Sequence, residues 1–233
     1  MKSDFSRTEM LVGTEAINAL RGAKVLVAGV GGVGGYAVEA LARAGVGNIA
    51  ILDSDNLHSS NINRQILATA DTIGRKKVDV AKERILSINP QCNVTTFDMF
   101  YLPENADKLP LDGYDFIIDA IDTVSAKHEL IVRAKNLGVS IVSCMGTGNK
   151  IGYNFEIAEI KKTSVCPLAK VMRRELKARG INSLPVLYSK EEPIAPINPV
   201  VENGRHIPAS ISYPPAIAGL MIGGYVIRSI MGK

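Results

Sequence analysis

The stretch Lys24–Asp53, KVLVAGVGGVGGYAVEALARAGVGNIAILD, constrains this chain more than any other. Lys24–Ala28 is a short apolar run with β-branched residues, the length of a buried parallel strand rather than of a helix. Gly29, Gly31 and Gly34 follow in Gly-x-Gly-x-x-Gly spacing. The first permits a tight turn, the second lets phosphate groups approach the backbone, and the third lets the next helix pack closely on the strand. That helix directs its unpaired N–H groups and the positive end of its dipole at the turn, which makes an anion site without a charged side chain. Asn48–Leu52 then reads as a second buried strand ending in Asp53. It lies about 20 residues beyond the glycines, where a carboxylate accepts hydrogen bonds from ribose hydroxyls. Glycines also serve purely structural turns; strand, helix and acidic strand end in register are what favour a nucleotide. The stretch is compatible both with a dinucleotide and with ATP.

The pattern around this unit extends it into a sheet. Met1–Arg21 has Met10, Leu11, Ala16, Ile17 and Leu20 apolar among polar neighbours, which predicts short helices before the first strand. SDNLHSSNINRQIL, after Asp53, is polar and lacks apolar periodicity, so an exposed loop or short helix is expected at the strand's carboxyl end. Thr72–Asn89 predicts a helix, with Val78, Ala81, Ile85 and Ile88 on one face and Asn89-Pro90 ending it. Asn93–Phe97 and Asp115–Asp119 read as strands, Ser125–Leu137 as a helix and Ser140–Cys144 as a further strand. This alternation predicts an α/β fold with right-handed crossovers: a doubly wound, Rossmann-like, mainly parallel sheet over about residues 22–150. Beyond Gly146, Phe155–Ile160 alternates like a strand and Cys166–Arg179 is a helix dense in basic residues. The proline-rich Leu184–Ser212 is expected as an extended loop crossing the surface, and Pro214–Ile227 as an apolar helix. Residues 151–233 thus form a short C-terminal β/α extension of a single domain covering 1–233.

Composition narrows the class. With 233 residues, 46% hydrophobic and 21% charged, the chain suits one globular α/β domain with a sizeable core. A net charge of +4 is mildly basic, and favours a polyanionic partner only where the charge is clustered. Cys92, Cys144 and Cys166 are too few and too scattered for a disulfide framework or a CxxC zinc site, which points to a reducing cytosol. MKSDFSRTEM has no apolar core of the kind a secretory signal needs. Pro214–Ile227 is shorter than a membrane span and stops at Arg228, so a buried helix is expected over an anchor, in a cytoplasmic protein with no stable membrane insertion.

Four features join the glycine turn. Ser60-Asn61-Ile62-Asn63-Arg64-Gln65 sets an arginine just past Asp53, where its fork of donors reaches phosphates or simply stays solvated. Lys77 opens a helix, where a cation opposes the dipole and a phosphate partner would give it a reason to be there; Lys76 beside it is an equal claimant. Asp119-Ala120-Ile121-Asp122 places two carboxylates at the carboxyl end of a central strand, beside the crevice where open α/β sheets bind ligands. Asp122 is the better candidate for magnesium held through a triphosphate, with Asp119 as a cap on the next helix. Arg7 has no reading of its own.

GVGGVG, LDSDNLHSSNINRQ, GRKKVDVAKERILSINP and DAIDTVSAK, in that order and spacing, resemble the ubiquitin-activating-like adenylyltransferase superfamily over about residues 5–150. The resemblance implies ATP and magnesium rather than NAD, and transfer of AMP onto a carboxylate. It implies Gly29, Gly31, Gly32 and Gly34 around the phosphates, Asp53 on the ribose, and Asp55, Asn61, Arg64 and Lys77 about the nucleotide and its triphosphate. Asp122 falls to magnesium, and Arg7 matches an arginine that reaches into the neighbouring subunit, which implies a homodimer with Arg7, Arg64, Lys77 and Asp122 as the catalytic set. Thr123 stands where many relatives have asparagine. A monovalent cation in the glycine loops and a docking sulfur-relay protein are further possibilities that it raises.

The second half selects within that superfamily. Relatives that activate the C-terminal glycine of a ubiquitin-like sulfur carrier usually have paired CxxC motifs for structural zinc, and this chain has none. KKTSVCPLAKVMRRELKARG with the apolar C-terminal helix resembles instead the tRNA threonylcarbamoyladenosine dehydratases. That resemblance implies ATP-dependent activation of the threonylcarbamoyladenosine carboxylate in the tRNA anticodon stem-loop, followed by cyclisation. A carboxylate is a poor electrophile until adenylation turns its oxygen into a leaving group, and magnesium and arginine stabilise the charge that develops on phosphate. Lys161, Lys162, Lys170, Arg173, Arg174, Lys177 and Arg179 then gather charge where tRNA could dock, or form a solvated helix face. Cys166, at a helix start, is read as reactive or as packing; Cys92 and Cys144 are read as packing, and His58, His128 and His206 are too dispersed for a metal site. A nicotinamide dehydrogenase makes no use of Asn61, Arg64 and Lys77 together.

Overall fold

β1 (Lys24–Ala28) is the strand from which the sheet is laid out in both directions. The computed structural model describes residues 5–202 and 204–233; the first four residues of the expected helical arm, and Asn203 of the proline-rich segment, lie outside them. β1 pairs in parallel with β2 (Asn48–Leu52) on one side and β4 (Phe116–Asp119) on the other. β3 (Asn93–Phe97) flanks β2, and β5 (Ser140–Cys144) flanks β4, all parallel. The chain winds outward from β1 to β3, then returns across β1 to β4. This reversal opens a crevice above the carboxyl ends of β1 and β4, where Gly29 and Asp122 emerge.

Side chains alternate across the sheet into two cores, as the pleat requires. Val25 and Val27 of β1 enter the core shared with α2 (Thr14–Gly22), α3 (Gly34–Ala44), α4 (Lys77–Ile88) and α7 (Tyr213–Ile230). Leu26 and Ala28 enter the other, under α5 (Val124–Asn136) and α6 (Pro167–Ala178). A short α1 (Ser6–Val12) precedes α2 and contributes no fully buried residue. α4 starts at Lys77 rather than Thr72, because Thr72 closes a separate 3-10 turn and Gly74, with φ +85°, breaks the path between them.

The extension completes the same sheet. β6 (Phe155–Glu159) is antiparallel to β7 (Pro185–Ser189), which wedges between it and β5 to give the order β3-β2-β1-β4-β5-β7-β6. Leu184–Ser212 is therefore not a loop throughout, as its prolines suggested. Pro185 takes the first position of a strand, where a missing amide is tolerated, and Val186–Ser189 are buried. A small hairpin of β8 (Val201–Glu202) and β9 (Arg205–His206) follows. α7 lies directly on α3: a Cβ on Gly219 would sit 2.3 Å from the Val33 carbonyl oxygen, so the helices touch backbone to backbone. Among the described residues no helix is long and apolar enough to cross a membrane.

Candidate nucleotide site

The glycine turn divides into two pairs. Gly29 has φ +85°, and a Cβ there would lie 2.7 Å from the Ala120 carbonyl oxygen; on Gly34 it would lie 1.7 Å from that of Gly29. These two glycines let β1, β4 and the start of α3 converge, and Gly34 does not line the cavity. Gly31 and Gly32 line the cavity. A Cβ on Gly31 meets only the end of Gln65 at 3.7 Å, and one on Gly32 meets Pro215 of α7 at 3.2 Å. No side chain caps α3, so its amino end is open to the cavity beside them, a volume of about 680 Å³.

Asp53 anchors this turn from β2. Its Oδ2 accepts the Val30 N–H at 2.8 Å and its Oδ1 accepts the Asp55 N–H at 2.9 Å. Of the two adjacent lysines only Lys77 enters the site: it is 6% exposed, with Nζ 2.6 Å from Asp55 Oδ2 and 3.6 Å from Asp53 Oδ1. Lys76 turns outward to Asp98. A cation at a helix start, unfavourable for the dipole, is thus held by two carboxylates at the cavity wall.

The SNINRQ segment folds into a 3-10 turn, Ser59–Asn61, and the buried Asn61 spends its Oδ1 on the His58 N–H at 3.1 Å. Arg64 lines the cavity with Nη1 donating to the Ser60 carbonyl and to Asn63 Oδ1, each at 2.9 Å. Gln65, which sequence reasoning left without a role, is buried against the cavity, and its Oε1 has no partner among the described residues.

Asp119 and Asp122 separate sharply. Asp119 does not cap α5, as its position had suggested: it is fully buried, and Thr123 occupies the cap position. Asp119 Oδ2 accepts the Ser143 hydroxyl at 2.5 Å and lies 3.0 Å from Lys127 Nζ, also fully buried. Its Oδ1 accepts the Ile121 N–H at 3.2 Å, while Lys127 Nζ donates to the Ile121 carbonyl at 2.9 Å. Both peptide groups of Ile121 are therefore fixed, and the next residue, Asp122, stands exposed on the cavity wall where, among the described residues, only the Thr123 hydroxyl donates to it, at 3.4 Å.

The far wall comes from parts that carry no motif. Asn149, with φ +57°, accepts the Ala209 N–H on Oδ1 and donates its own N–H to the Ala209 carbonyl, both at 2.7 Å, and the Asn63 side chain donates to the Ser210 carbonyl at 3.0 Å. These bonds lay the proline-rich segment over the cavity mouth. Asn149 after Gly148 was the available signal, since asparagine tolerates left-handed backbone. Cys144 and Cys166 also line the cavity, and burial pushes the Cys144 thiol up to about 12, so it stays protonated. Burial also raises the Cys92 thiol, to about 11. Arg7 lies exposed on α1 and does not line the cavity. Among the described residues no three His, Cys, Asp or Glu side chains form a metal cluster.

Comparison with known proteins gives concordant results. The ThiF family profile matches residues 5–233. The tRNA threonylcarbamoyladenosine dehydratase of Bacillus subtilis is 38% identical over 99% of this chain and 96% of its own length. The crystal structure of the Escherichia coli tRNA N6-threonylcarbamoyladenosine dehydratase in complex with AMP superposes with a TM-score of 0.89 and 32% identity, covering 100% of this chain and 97% of that one. Its complex with ATP gives a TM-score of 0.85 and 31% identity over the same shares.

Proposed function

The chain belongs to the ThiF family, and from that membership and the cavity's geometry we infer that it is an ATP-dependent tRNA threonylcarbamoyladenosine dehydratase. The observation that carries the reading is convergence: Gly31, Gly32, Arg64, Lys77 and Asp122, drawn from four separate segments, line one cavity at the sheet's switch point. A triphosphate uses all of them. Gly31 leaves room for phosphate against the backbone and Gly32 lines the same cavity beside it, Lys77 is held buried at the wall, and Asp53 brings a carboxylate to the ribose side while pinning Val30. The unpartnered Gln65 Oε1 is a buried acceptor that a ligand donor would satisfy.

In the reaction, the substrate carboxylate forms a bond to the α-phosphorus of ATP, and the bond to pyrophosphate breaks. A nucleophilic atom of the same substrate then attacks the activated acyl carbon and AMP departs, so one water is removed overall. Arg64 and Lys77 stabilise charge growing on the phosphate oxygens, and their protein partners keep them oriented beforehand. Asp122 is a single exposed carboxylate, the donor set that suits magnesium shared with phosphates rather than a cage made of protein alone. Magnesium, when bound, would withdraw charge from those oxygens. No protein nucleophile is required, in keeping with the protonated state of Cys144.

This reading extends to a homodimer in which Arg7, remote from its own cavity, serves the partner's site, and to a single cytoplasmic unit of core 22–150 and extension 151–233. Incubation with ATP and tRNA carrying threonylcarbamoyladenosine should release AMP and pyrophosphate and lower the nucleoside mass by one water. Unchanged nucleoside with ATP intact overturns it.

A further inference from the structure

A cavity of about 680 Å³ accommodates a nucleotide and one further group, so the body of a polynucleotide substrate must leave across its rim. Pro167 and Leu168, at the amino end of α6, line that rim. From there the helix runs outward, burying Ala169, Met172 and Leu176 on one side. Lys170, Arg174 and Lys177, at i, i+4 and i+7, share the opposite face and are all exposed. They span roughly 10 Å of helix axis, the reach of two or three successive phosphates on one strand.

Of the other cations of this region, Lys161 and Lys162 lie exposed in the 3-10 turn before α6, off its face, while Arg173 and Arg179 are already engaged. Arg173 donates to the Thr163 carbonyl and hydroxyl at 2.8 Å each and ties α6 to the preceding turn, and Arg179 is held by Glu175. Lys170 and Lys177 pair with no carboxylate among the described residues, and Arg174, its side chain 76% exposed, pairs with its neighbour Glu175 at 2.8 Å in a solvated contact that a phosphate can replace. Favourable interaction with the helix dipole accounts for Lys177 in the last turn but not for Lys170, near the amino end, where a cation is opposed. A protein partner would need an apolar anchor, and between these cations the face offers only Val171, 37% exposed.

We propose that the Lys170–Arg174–Lys177 face of α6 is the docking surface for the phosphodiester backbone of the RNA whose modified base occupies the cavity. The proposal rests on the reading of the substrate as tRNA. It is tested on the full chain with tRNA bearing threonylcarbamoyladenosine, by fluorescence anisotropy between 0.05 and 0.2 M salt. The triple variant Lys170→Ala/Arg174→Ala/Lys177→Ala should reduce the slope of log K against log salt by about 2 to 3 and weaken binding about 100-fold near 0.1 M salt. ATP affinity and the thermal transition should not move, and Lys170→Glu alone should weaken RNA binding while leaving both unchanged. A wild-type slope and affinity in the triple variant overturns the proposal; so does retained RNA binding with lost binding to polyglutamate, which would assign the face to an acidic protein. If RNA binding depends on these cations but the nucleoside is never dehydrated, the docking surface stands and the assigned chemistry falls.

Discussion

Replacing Lys127 by methionine removes an ammonium at full burial and keeps most of its volume. Asp119, also fully buried, is left with the Ser143 hydroxyl and the Ile121 N–H but no counter-charge, and the Ile121 carbonyl loses its donor. Breaking a buried pair from one side costs about 3–5 kcal/mol, because the surviving charge has no solvent to turn to. Adding Asp119→Asn removes that charge, so the double variant should recover about 2 kcal/mol of the loss, a coupling of the size expected for directly bonded partners. The functional effect has a separate cause. Both Ile121 peptide groups are held by this pair, and their release frees the segment that aims Asp122. Misplacement of a catalytic group by about 1 Å costs on the order of 100-fold in rate. Urea denaturation gives the stability, and pyrophosphate release measured well inside the native range gives the rate. A Lys127→Met protein within about 1 kcal/mol of wild type, or one with full turnover in its folded state, would refute the clamp.

The glycine pairs predict opposite failures. Gly34→Ala drives a methyl into the Gly29 carbonyl and should cost on the order of 4 kcal/mol by thermal unfolding, whereas Gly31→Ala should fold normally and lose ATP affinity by calorimetry. Burial raises the Glu39 carboxyl, but hydrogen bonds from Arg84 and Arg43 outweigh it and hold the group below its usual 4.5. Its stabilisation is therefore complete above about pH 4.5 and is lost as pH falls through the lowered folded value; Glu39→Gln should flatten that part of the stability profile. Asp122→Ala, at an exposed position, should abolish pyrophosphate release with a stability change within about 0.5 kcal/mol. Arg7→Ala and Asp122→Ala proteins, each inactive alone, should regain activity when mixed, and failure of that rescue would make each subunit self-contained.

What could be read from the sequence was what local chemistry dictates. The β1–α3–β2 unit, the order of strands and helices to β5, and α6 and α7 follow from apolar period and glycine spacing, and the structure has them close to the expected bounds except for α4, which starts at Lys77 instead of Thr72. β7 was hidden because its short run PVLYS, opened by Pro185 in a proline-rich segment, read as loop, while its burial comes from lying between β5 and β6, a non-local fact. Within the site, Gly29, Gly31, Gly32, Asp53, Asp55, Asn61, Arg64, Lys77 and Asp122 line one cavity while Gly34 and Arg7 do not, and sequence alone could not choose between Lys76 and Lys77, or assign Asp119. Both depended on partners from elsewhere in the chain: Asp55 and Asp98 for the lysines, Ser143 and Lys127 for the aspartate. The roof made by Asn149 and the proline-rich segment has no motif, because its bonds are mostly to backbone.

On this account the cavity makes a carboxylate reactive by joining it to the α-phosphorus of ATP. Labelling the carboxylate of the threonylcarbamoyladenosine in tRNA with oxygen-18 tests it directly, since only that route carries a carboxylate oxygen into AMP. One labelled oxygen in the released AMP, and none in pyrophosphate or water, is the predicted result. Dehydrated nucleoside formed alongside unlabelled AMP would contradict it.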